Sequence, residues 1–130
     1  MRARERLLVV LIAAHSYGVG LALLFLTEFG ARLGGFGAVR PLFFPRQAGA
    51  FHLVVATAYL IEYFRYGGVS ILLTTKSIAV VFLFAMTALG GMPWVVPFSG
   101  VADGAMGALL YAVHVGARRE DAARGGGGRP

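Results

Sequence analysis

The sequence predicts an all-α integral membrane protein, a four-helix transmembrane bundle running up-down-up-down with both termini cytoplasmic. Three observations predict it. Four apolar stretches, 7–27, 47–64, 69–89 and 98–116, fill most of the 130 residues. A helix rises about 1.5 Å per residue, so roughly 20 residues cross a hydrocarbon core about 30 Å thick. The composition is 58% hydrophobic and 14% charged, with a mean hydropathy of +0.74. A soluble domain of this size cannot hide that much apolar surface. Finally, the 12 basic residues fall unevenly along the chain. Arg2, Arg4, Arg6, Arg65, Lys76, Arg118, Arg119, Arg124 and Arg129 map to one side of the membrane. Arg32, Arg40 and Arg46 map to the other. The positive-inside rule then puts both termini in the cytoplasm and two loops outside. The apolar runs are continuous and do not alternate, which favours helices over barrel strands. The net charge of +6 reads as topology and anionic headgroups as partners, not as a nucleic-acid surface.

Span one, Leu7–Thr27, follows Arg2-Ala3-Arg4-Glu5-Arg6, a start that resembles a signal peptide. Its apolar run continues to Leu26 without a small-residue cleavage site after Ala14, so it reads as an uncleaved helix. Ala14, Gly18 and Ala22 make a small-residue packing stripe on it. The outer loop Glu28–Arg46 carries Gly30, Gly34, Gly35 and Gly37, too many for a stable helix. Pro41-Leu42-Phe43-Phe44-Pro45 predicts an extended turn at the interface, an anchor or a lid. Span two, Gln47–Phe64, joins span three, Val69–Leu89, through Arg65-Tyr66-Gly67-Gly68, which forces a hairpin. Trp94 in the next connection fits the aromatic belt. Span four, Phe98–Gly116, opens on Gly100 and Gly104, followed by Gly107 and Ala108, a stripe expected to pack within the monomer. The transmembrane domain is residues 1–117. Residues 118–130, basic and Gly-rich, read as a disordered cytoplasmic tail.

Ionisable groups at membrane depth need a partner or a purpose. Helical rise places Glu62 about 6 Å and Lys76 about 10 Å from the inner side. The hairpin lets them form an inner ion pair, structural or a site for a proton or a substrate head. A second group gathers near the outer side: Arg46 and Gln47 opening span two, His52 about 8 Å deeper, and Asp103 at a similar level on span four. Arg46 suits an anionic headgroup or carboxylate, and an Asp103 carboxylate would orient the His52 imidazole. Arg46, Gln47, His52 and Asp103 are the candidate ligand-binding site, and Glu28 has Arg32 one turn away as an ion-pair partner. Haem is disfavoured because His15, about 12 Å from the inner face, His114, about 4 Å, and the outer His52 share no depth. His15 instead matches Tyr111 and predicts a hydrogen bond. No cysteine is present, which excludes disulfides, thiolate metal sites and thiol redox relays. No phosphate loop, HExxH or nucleophile elbow occurs, so the sequence identifies no metal site and no catalytic residue.

Arg46-Gln47-Ala48-Gly49 opens span two with an Arg before small residues, Thr75-Lys76-Ser77 puts a lone Lys early in span three, and Gly100–Gly107 makes span four Gly-rich. On these features, and over about residues 7–116, the chain resembles the DoxX-like group of small bacterial membrane proteins. The resemblance implies a four-helix membrane bundle in a bacterial cytoplasmic (inner) membrane. It also implies a link to quinones, since some relatives are tied to quinone-coupled sulfur oxidation or membrane redox complexes; many have no assigned activity. No catalytic motif carries over. The sequence thus leads to a non-catalytic protein that binds a lipid-like or quinone-like molecule, or to an accessory subunit of a membrane complex. The alternatives are a quinone-linked oxidoreductase subunit with His52 and Asp103 handling protons, and a homo-oligomeric transporter.

Overall fold

The structure, a computed structural model, describes residues 2–125, and no strand occurs among them. Helix α1, Arg2–Phe25, is followed by a short α2, Thr27–Leu33. Helix α3, Phe43–Ile61, runs into a π-helical turn, Glu62–Tyr66. Helices α4, Ser70–Leu89, and α5, Val95–Gly125, complete the chain. Three of them, α1, α4 and α5, are long and apolar enough to cross a membrane. Helix α3 has the length, but Arg46, Gln47 and His52 dilute its apolar character.

The element boundaries correct several expectations. The loop after span one contains a helix: Thr27 Oγ1 donates back to the Leu23 carbonyl at 2.6 Å, which bridges the bend between α1 and α2. The Pro41–Pro45 segment is not extended throughout, because α3 begins at Phe43. Pro45 sits in its first turn, where no amide is required. The tail expected to be disordered is helical as far as Gly125. Its Arg, Glu and Ala residues favour helix, and Asp121 is tied to Arg2 at 2.6 Å. Residues 126–130 of that expected tail lie outside the described residues.

The helices meet along two seams. On the first, α1 crosses α3 at Gly20 and Gly49. A Cβ on Gly20 would stand 2.8 Å from the Gly49 carbonyl oxygen, and one on Gly49 would stand 2.7 Å from that of Gly20. Only glycine allows two backbones so close. The stripe expected to do this work, Ala14, Gly18 and Ala22, is on a different face: Gly18 has no neighbour within 4 Å. On the second seam α5 lies along α4. Gly100 faces Leu83 and Phe84, Gly104 faces Val80, and Gly107 faces Lys76, so this stripe packs within the chain as expected.

These contacts make α1 antiparallel to α3, and α4 antiparallel to α5. Arg2 with Asp121, and Glu5 with His114, bring the start of α1 to the end of α5. Between the seams sits a small core of Val9, Ile12, Tyr59, Val69, Leu72 and Leu110. Large apolar side chains point outward elsewhere, among them Phe51, Val54, Ile78, Val81 and Phe82. A continuous exposed apolar surface of this kind is suited to lipid, not water.

Candidate functional site: a buried ion pair under a groove

The α4–α5 seam carries more than packing. Close approach at Gly104 and Gly107 brings Lys76 of α4 against α5, with its Cβ level with Gly107. Asp103 lies one turn nearer the start of α5. The lysine stem spans that turn, and Nζ donates to Asp103 Oδ1 at 2.5 Å. The Lys76 side chain is 6% exposed and that of Asp103 is 17% exposed. Two charges are therefore held out of water, and each is the other's charge partner. Separating such a pair is costly because the survivor is left unpaired in a medium of low dielectric.

Above the pair a groove of about 580 Å³ opens between α4 and α5. Leu73, Val80 and Val81 line it from one helix, and Gly104, Ala108 and Tyr111 from the other. Lys76 and Asp103 also line it. The volume falls in the range of small-molecule sites, about 300–1,000 Å³. Apolar walls with a few convergent polar groups are the usual make-up of such sites. The groove has no cluster of metal ligands: among the described residues, no three or more His, Asp or Glu side chains are placed to hold a metal ion.

The inner ion pair expected between Glu62 and Lys76 is not formed. The π-helical turn and Gly67, left-handed at φ 66°, fold the Glu62 carboxylate over the start of α4. There it accepts from the Ser70 amide at 2.9 Å, the Ile71 amide at 2.8 Å and the Ser70 hydroxyl. Amides at a helix start have no partner within the helix, so Glu62 is a cap. Lys76 lies six residues along α4, about 9 Å from Ser70 by helical rise, and its side chain runs the other way.

The outer site expected from Arg46, Gln47, His52 and Asp103 is not gathered in one place. Asp103 is taken by Lys76. Arg46 and Gln47 are exposed in the first turns of α3, and of the four only Asp103 lines the groove. His52 makes no bond to Asp103; its Nδ1 is buried with no hydrogen-bond partner. It packs beside the α1–α3 crossing, with its Cβ 3.1 Å from where a Gly20 Cβ would stand. His15 is exposed and makes no bond to Tyr111, which opens onto the groove. Glu28 pairs with Arg40 at 2.5 Å, while Arg32 donates from Nε to the Glu28 carbonyl oxygen.

Among the polar contacts that escaped sequence reasoning are two between buried or half-buried ionisable side chains. Lys76–Asp103 was missed because depths counted from opposite membrane faces set the two residues apart, whereas helix contact brings them within a lysine's reach. Glu5–His114, at 3.1 Å with Glu5 buried, was missed because Glu5 was read as part of a basic leader segment. Depth would have found it: Glu5 just precedes span one, and His114 lies about 4 Å from the same face.

The chain matches no family model, no curated protein and no solved structure.

Proposed function

We propose that this is a four-span integral membrane protein, termini cytoplasmic, that binds a lipid-like or quinone-like molecule in the groove between α4 and α5. One observation carries the reading: an apolar groove of about 580 Å³ with a buried, paired Lys76 and Asp103 at its floor. Ion pairs at membrane depth mark sites by default. The topology is supported by the gathering of Arg2, Arg6 and the 118–124 stretch at one end, with Arg32 and Arg40 at the other. Binding without catalysis is preferred because the oxidoreductase alternative needs a His52–Asp103 bond, and Asp103 is engaged elsewhere.

Native mass spectrometry of the protein, gently extracted from its own membrane, tests the reading. The wild-type chain should retain one lipid-like or quinone-like molecule per copy. Ala108→Phe, which fills the groove from its exposed side, should lose it while keeping its helix content. A wild-type protein that carries only freely exchanging bulk phospholipid would end the proposal.

A further inference from the structure

The groove walls are largely apolar, and the Lys76–Asp103 pair at its floor carries no net charge, which restricts the heads that can sit on it. Lys76 Nζ has three N–H donors and spends one on Asp103 Oδ1. The second Asp103 oxygen remains an acceptor. A head that satisfies both sides must donate and accept at once, and a hydroxyl does so. A carboxylate only accepts. It would bond Lys76 in competition with Asp103 and bring a second negative charge to one cation. An ammonium head has the converse fault, since Asp103 is already neutralised. In a water-poor groove the third charge has no counterpart and its desolvation is not recovered.

We infer that the groove selects an uncharged amphiphile with a hydroxyl head (an alcohol, glycerol or phenol) over fatty-acid anions and cationic amphiphiles of the same chain. The inference rests on the binding reading above and adds the class of ligand. Ser77 and Tyr111 also line the groove.

The test uses the full-length chain in an uncharged maltoside detergent, with radiolabelled monooleoylglycerol as probe. Unlabelled monooleoylglycerol, oleate and oleylamine share one chain and differ in head charge. Monooleoylglycerol should displace the probe at about tenfold lower concentration than either charged competitor. Oleate displacing equally well or better would overturn the selectivity and leave the groove as a binding site. No saturable binding of any of the three would overturn the binding reading itself. Asp103→Asn leaves Lys76 as a lone cation, and oleate should then become the best competitor; an unchanged rank order in the folded variant would remove the ion pair as the selecting element. Lys76→Met with Asp103→Leu serves if the single variant does not fold. It should bind monooleoylglycerol about tenfold more weakly, and undiminished binding would count equally against the inference.

Discussion

Where α1 crosses α3, backbone meets backbone: Gly20 and Gly49 leave no room for a single added carbon, and nothing charged enters the contact. Where α5 lies on α4, the glycines are spaced along the seam: an added Cβ would be somewhat tight at Gly100, 3.3 Å from Phe84, and in ordinary van der Waals contact at Gly104 and Gly107, 3.6 and 3.5 Å from their neighbours. That looser seam admits an ion pair and leaves a groove above it. The same residue type therefore does two different jobs. A tight crossing fixes the helices and has no space for a ligand. A looser one gives up packing and gains a polar floor.

The largest effect should come from breaking the looser seam. Lys76→Met leaves Asp103 buried without a counter-charge and should cost about 3–5 kcal/mol in unfolding free energy measured in detergent. Adding Asp103→Leu should restore most of that loss, since a buried pair replaced by apolar groups of similar size is often neutral or better. A double variant as unstable as the single one would mean that the ion pair holds α4 to α5 in its own right. The tight seam should come next. Gly20→Ala places a methyl 2.8 Å from the Gly49 carbonyl oxygen and should cost about 1–3 kcal/mol by the same assay. The smallest effect is expected at Gly18. There an added Cβ meets nothing within 4 Å, so Gly18→Ala should cost nothing and gain up to about 1 kcal/mol from helix propensity. An equal gain at Gly18 and Gly20 would show that helix propensity, not the crossing, governs both.

The helical class and the approximate extent of the long helices were legible because apolar runs of 18 residues or more leave few structural choices. The Gly100–Gly107 stripe was also legible, since its spacing matches one helix face. The α1–α3 crossing was not. Gly20 has Ser16 four residues before it but Leu24 four residues after it, a shorter run of small residues than Ala14, Gly18 and Ala22, to which the spacing rule points instead. Partner choice was the weakest point. By depth alone Asp103 belonged beside His52; which helix α5 faces overrides that, and it is set by glycine contacts distributed over two segments. Glu62 illustrates the same difficulty. Nothing in the chain announces that α3 will finish in a π-helical turn, and without that turn the carboxylate does not reach Ser70.

That cap changes where the α3–α4 turn is able to reside. Helix starts normally lie at the membrane surface because their free amides require water. Glu62 supplies acceptors for the Ser70 and Ile71 amides from within the hairpin, so these two need none. This end of α4 can sink below the headgroups as a bilayer thickens, without stranding those donors. In a bilayer, those two amides would add no cost to hydrophobic mismatch at this end of α4.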